Sequence, residues 1–283
     1  MPLDIRELSG QPEAYAAELR RRWGGLLSYR YIGRRYAQMD LGPVDNTVVV
    51  RRDMRNQTGG LLLAVLGIAS PEGGHMSDLE AVPNPVIHSC QILDAGREVR
   101  RIEVVSEEIK RGRQMGYSRS KIVDADRPDR VLALTEGQGI SIGTPPEGLE
   151  KMEVEPIEVT DSPDLPPLWQ IFGGRRRPDG RWVLPELADE VASPDAALHI
   201  GPQFVILETA ALESAAVLAR TVQLQGISSH VMFCARGKVG PFRVETEPVA
   251  GADGVVAVRV VMRDEGAGDR VTTVGSYLFR AEV

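Results

Sequence analysis

The chain has 283 residues, 42% apolar and 26% charged, which suffices to bury a globular core in one large domain or two ordinary ones. A formal net charge of −7 and a pI near 5.3 argue against a dedicated nucleic-acid binder, whose footprint is basic. Two widely separated cysteines, Cys90 and Cys234, lack metal-ligand spacing and predict a reducing cytoplasm rather than a disulfide framework. No apolar signal segment opens the chain, and no run reaches the ~18 apolar residues expected of a membrane span.

In chain order, the apolar spacing from Pro12 to Trp23 predicts a helix, and "TVVVRR" from Thr47 predicts a strand. The apolar segment from Met54 to Ala69, opened by "TGG", is too long for an ordinary strand and predicts a buried helix. Strand-like runs follow at Val86–Leu93, Val99–Ile109, Met115–Asp124 and Arg130–Ile142, separated by the turn signals "KRGR" and "DADRPD". The second half repeats the plan. A short helix is expected at Leu165–Phe172 and a strand at "RWVLPEL", then a long apolar helix at Gly201–Thr221. Strands are expected at His230–Ala235, Phe242–Val249, Val255–Met262 and Thr272–Arg280. Residues 1–146 and 163–283 are thus two repeats, joined by a linker rich in Pro and acid at 147–162. One helix followed by a meander of strands implies an α+β unit, an antiparallel sheet covered by its own helix. Two such units pair most simply across a pseudo-two-fold axis.

One stretch carries the chemistry. "HIGPQFVILETA", His199 to Ala210, places a single acid, Glu208, inside an apolar run nine residues after a histidine. Pro202 suits the first turn of a helix, because the N–H it lacks has no partner there. A helix start also presents unpaired N–H groups and partial positive charge, suited to a developing oxyanion.

This arrangement resembles the hot-dog-fold acyl-CoA thioesterases of the phenylacetate-pathway type, whose central helix begins His-Gly-Gly and carries Asp or Glu nine residues after the His. The resemblance implies a double hot dog: two antiparallel sheets, each wrapped on a central helix. It places His199, Ile200 and Gly201 on the His-Gly-Gly positions and Glu208 on the acid. Ile200 and Gly201 would then supply oxyanion N–H groups, and Glu208 would act as general base or nucleophile. His199 would position substrate, and Thr209 would orient the acid or water. In the other repeat the resemblance aligns Thr58 with the His, keeps Gly59 and Gly60, and puts Gly67 at the acid position, so that copy is expected to be degenerate. Asn56, Gly59 and Gly60 are substrate-binding candidates there, and Arg236 and Lys238 are candidates for the phosphates of coenzyme A. The implied substrate is an acyl-CoA, with no separate cofactor and no metal, and double hot dogs of this kind are expected to be able to pair as homodimers.

Each residue also has a plainer reading. Glu208 could be a structural acid bonded across an interface, His199 an ordinary helix-start histidine, Thr209 an ordinary helix residue, and Glu213 the solvated end of the helix. Two further functions stay open. A non-catalytic acyl-CoA binder fits the loss of the pair in the first repeat. "NPVIHS" at Asn84–Ser89 resembles the motif of hot-dog enoyl-CoA hydratases, but its His88 falls one residue late and Val82 replaces the acid.

Overall fold

The structure, a computed structural model, describes residues 2–34, 47–70, 82–112, 115–142 and 154–282. An N-terminal pair of helices, α1 (Pro12–Gly25) and α2 (Leu27–Ile32), precedes strand β1 (Thr47–Val49) and helix α3 (Leu63–Ala69). Four long strands follow: β2 (Val82–Ile92), β3 (Arg101–Arg111), β4 (Met115–Asp124) and β5 (Arg127–Ile142). The second half contains α4 (Leu168–Ile171), β6 (Arg175–Arg176), β7 (Trp182–Leu184) and α5 (Ile200–Ala219). It ends in β8 (Leu224–Phe233), β9 (Phe242–Ala250), β10 (Val255–Asp264) and β11 (Arg270–Ala281).

The strands form one antiparallel sheet in the order β1-β3-β4-β5-β2-β8-β11-β10-β9-β7-β6. Each half contributes a contiguous block, and the blocks meet where β2 pairs with β8, Ile87 opposite Met232 and Cys90 opposite Ser229. Alternation decides which face of each strand is buried. In β10, "VVAVRVVMRD", every second residue is buried and Arg259 points outward. The inner face wraps the two central helices. Every residue of α3 is buried, as is α5 from Ile200 to Leu207, with Glu208, Ala210, Ala211 and Ala215 beyond. By length and hydropathy the 20 residues of α5 could cross a membrane. They are no unbroken apolar run, since Glu208 and Glu213 interrupt them, and they form the core helix of this sheet.

Several boundaries differ from the sequence expectation, two of them by six residues or more. The helix expected from Met54 begins only at Leu63. The Asn56 carboxamide oxygen accepts the N–H groups of Thr58 and Gly60, at 2.9 and 3.1 Å. With Gly59 at φ 81°, this closes a turn before the helix can start. The strand expected at His230 begins at Leu224, six residues earlier, as a partner for the end of β11. Helix α2 was not anticipated from the sequence.

Candidate active site between the two helices

The two halves repeat one hydrogen-bonding pattern at a fixed spacing. Leu62 N–H donates to Met54 O and His199 N–H to Val191 O; Asn56 N–H donates to Gly60 O and Ser193 N–H to Ala197 O. The bridges Arg55 to Leu61 and Ala192 to Leu198 match as well. This register corrects the sequence alignment: Leu62, not Thr58, is the counterpart of His199, since each is the residue preceding its central helix. The counterpart of Glu208 becomes position 71, outside the described residues. Gly67 corresponds instead to Phe204. A Cβ on Gly67 would stand 3.0 Å from the Phe204 ring, so glycine there lets the two helices cross.

The helices run antiparallel through this crossing. Leu63 lies four residues before Gly67 and Glu208 four residues after Phe204, which brings the acid of one half to the helix start of the other. The Glu208 carboxylate accepts the Leu63 N–H at 2.9 Å on one oxygen and the Ala64 N–H at 2.6 Å on the other. Burial pushes its pKa up to about 7, against the pull of the Ala64 and Leu63 N–H groups toward a lower value. Two neighbours answer to the same desolvation: the Cys90 thiol and the Tyr277 phenol are both pushed up by burial, with Glu208 adding to each.

Glu208 opens onto a pocket of about 420 Å³. Residues of α5 line it at positions 205, 208, 209, 212, 213 and 216, a face of the helix about 16 Å long at 1.5 Å per residue. Leu62 and Ala64, Leu165, Leu168 and Trp169, and Val222 and Leu224 add apolar surface to the lining, and Arg52, Asp53 and Arg55 add charge. Burial increases along α5 from Ala216 toward Glu208, so the acid lies at the deep end. A mostly apolar cleft whose buried acids are Glu208, held by backbone N–H groups, and Asp53, paired with Arg51, is a chemically competent enclosure.

The other expected site residues lie elsewhere or are already engaged. At the start of α5, Ile200 and Gly201 are buried beneath α2. A Cβ on Gly201 would stand 2.3 Å from Ser28 Cβ, so this glycine admits Ser28 and no thioester can approach. Ile200 and Gly201 therefore do not share a site with Glu208, and the oxyanion role expected of them is withdrawn. His199 caps α5 through Nδ1, which meets the Gly201 N–H at 3.3 Å and Ser28 Oγ at 2.9 Å. Its ring packs edge-on against Tyr29. Burial, reinforced by Arg236 and Arg34, holds its pKa down to about 3, so it is neutral.

Arg236 is committed to Asp195, at 2.6 and 2.7 Å, and to Asn84 Oδ1 at 2.6 Å. Lys238 donates to Asp4 and to the Asp195 carbonyl. Both belong to the joint around the start of α5 and do not line the pocket, so neither meets a phosphate of substrate there. Thr209 does line the pocket, but its hydroxyl donates to Val205 O at 2.7 Å rather than to the acid. Asn56 lines it too, with its carboxamide spent on the turn and on Gln225. A Cβ on Gly60 would collide with the Gln225 side chain, so Gly60 faces a neighbour rather than a ligand. Gly59 supplies the left-handed turn conformation. Glu213 is half-buried, accepting Trp182 Nε1–H at 2.6 Å and pairing with Arg176 at 3.0 Å. Among the described residues His88 meets no acid: Nε2 meets Ser70 O at 3.1 Å, Nδ1 is buried with no partner among them, and the ring tilts on Phe204. The Asp/His pair a hydratase needs does not form among the described residues. Among the described residues, no group of three or more His, Cys, Asp or Glu side chains could hold a metal ion.

The site residues missed in the sequence are the amides of Leu63 and Ala64 and the wall at 162–169. The first was recoverable: setting "RNQTGGLL" against "ASPDAALH" gives the observed register.

Sheet, helices and their crossing define the architecture as a double hot dog. Solved structures with this architecture cover most of the chain. A TesB protein of Mycobacterium avium subsp. paratuberculosis aligns with a TM-score of 0.59 at 12% identity, over 87% of this chain and 97% of that one. An acyl-CoA thioesterase II, TesB2, of Mycobacterium marinum aligns with a TM-score of 0.56 at 14% identity, over 86% and 96%. A conserved protein with a hot-dog fold from Alicyclobacillus acidocaldarius gives 0.54 at 12%, over 84% and 92%. No family model matches the chain, and no curated protein matches it.

Proposed function

We propose that this protein hydrolyses an acyl-CoA or acyl-carrier thioester to the free acid and thiol, with Glu208 as general base. One observation carries the reading: a desolvated carboxylate from one half lies against the helix start of the other half, at the deep end of an apolar pocket. Water attacks the carbonyl carbon, and Glu208 takes its proton. The Leu63 and Ala64 N–H groups, exchanging the carboxylate for the substrate oxygen, stabilise the developing oxyanion. The C–S bond then breaks, and the thiolate takes the proton back from Glu208. A pKa near 7 suits a group that both accepts and returns a proton at neutral pH. Two structures that share the fold carry TesB names, one as an acyl-CoA thioesterase II, which supports the same reaction class. The residues this reading uses, Glu208, Leu63 and Ala64, all come from one chain, so it calls on no second copy. We take the two repeats as an internal duplication, residues 1–146 and 163–283, with catalysis resting on the acid of the second. Free thiols at Cys90 and Cys234 suit a reducing cytoplasm.

A second reading, an acyl-CoA binder that does not hydrolyse, draws on one observation: both Glu208 oxygens are already satisfied by backbone donors. Thiol release from acyl-CoAs of graded length, followed with a thiol reagent, separates the two. Hydrolysis requires release above the uncatalysed rate on at least one chain length, and binding without release favours the second reading.

A further inference from the structure

Residues 162–169 pass from the end of the linker into α4 and form a wall of the pocket. Pro163, Leu165, Pro167, Leu168 and Trp169 line it. These side chains are apolar and one is aromatic, whereas the lining residues from the first half include the charged Arg52, Asp53 and Arg55 and the amides Asn56 and Gln57.

The strap is also fixed in place. Trp169 packs edge-on against Trp182, with ring centroids 5.0 Å apart. Trp182 Nε1–H donates to Glu213 on α5 at 2.6 Å, and Arg176 pairs with the other oxygen of that carboxylate at 3.0 Å. The Trp169 carbonyl accepts the Gly174 N–H at 2.7 Å, and just before the strap Asp161 accepts the Arg52 N–H at 2.8 Å. A wall whose aromatic end is held from several directions does not yield readily to a larger ligand.

We infer that the strap side receives the acyl group and that Trp169, propped by Trp182 and Glu213, sets an upper limit on its length. The strap residues that line the pocket, Ser162, Pro163, Leu165, Pro167, Leu168 and Trp169, carry no charge, so the acyl groups accepted there are uncharged and apolar. Of the acids elsewhere in the lining, Asp53 pairs with Arg51 at 3.2 Å and Glu213 with Arg176 at 3.0 Å. Trp169 is a specificity residue: it shapes the space for the acyl chain and takes no part in proton transfer.

This inference rests on the proposed function for its choice of ligand, but its test does not need hydrolysis. Binding of S-alkyl-CoA thioethers, which cannot be cleaved, is measured from ethyl to hexadecyl by calorimetry, for wild type, Trp169→Ala and Trp169→Phe. Circular dichroism and thermal melts confirm that each variant is folded. The expected result is a chain length beyond which wild-type affinity falls at least tenfold. That cut-off should move to longer chains in Trp169→Ala and hold in Trp169→Phe. The same cut-off in wild type and Trp169→Ala, or no thioether binding to wild type, overturns the inference. A shifted cut-off in a protein that releases no thiol from any acyl-CoA upholds the wall and overturns the thioesterase reading. Thiol release with an unmoved cut-off does the reverse.

Discussion

Glu208 is held by two opposing influences. Burial disfavours its charge, and two backbone N–H groups favour it. Burial prevails, and this has a consequence for stability. A carboxyl whose pKa is about 7 when folded but near 4.5 when unfolded binds more protons in the folded state between those values. Its contribution is therefore fully present below about pH 4.5 and is lost as pH rises through 7, by on the order of 3 kcal/mol. Urea unfolding of wild type and Glu208→Gln from pH 5 to 8 measures this, and the wild-type stability relative to the variant should fall across that range. A constant difference would mean that Glu208 is ionised throughout. At this scale the sequence was informative: a lone acid in an apolar run singled out Glu208. His199 was equally visible, but its role was not, because nothing in its spacing shows that α2 covers it.

The central helices are placed by small residues. Gly67 lets α3 cross α5 at Phe204, and Gly201 lets α2 lie on the start of α5. Gly201→Ala should therefore lower stability by about 1–3 kcal/mol, the usual cost of overpacking, while leaving kcat/KM for thioester unchanged in the folded fraction. If Gly201 instead faced substrate, kcat/KM would fall with little loss of stability, so chemical denaturation alongside steady-state kinetics separates the two. The element pattern was legible because strand alternation and turn residues are local signals; β4 was anticipated to the residue. The start of α3 was not, because the Asx turn at Asn56 and the glycines after it read as the helix opening rather than as the turn before it. That four-residue slip moved the expected acid position onto Gly67. It also hid the contact between Glu208 and the opposite helix, which depends on antiparallel packing across some 145 residues of chain.

On the scale of the whole molecule, the halves share one sheet through β2 and β8, and one candidate site through α3 and α5. Neither half can complete the pocket alone. Unfolding should accordingly be a single transition, with far-UV circular dichroism and the fluorescence of Trp23, Trp169 and Trp182 giving coincident midpoints in urea. Two separated midpoints would show that the halves are energetically independent. The sequence revealed the repetition but not which helix start faces which acid, since that follows from the pseudo-two-fold arrangement and not from either half.

The claim that Glu208 of the second half works at the helix start of the first is tested most directly by thioester hydrolysis across pH. Thiol release by wild type and Glu208→Gln is measured from pH 5 to 9 on the best acyl-CoA substrate. Wild-type kcat/KM should rise through about pH 7 and level off. The folded variant should be slower by about a hundredfold or more, as loss of a general base requires. Equal rates for the two proteins, or a wild-type profile flat across neutrality, would contradict the account.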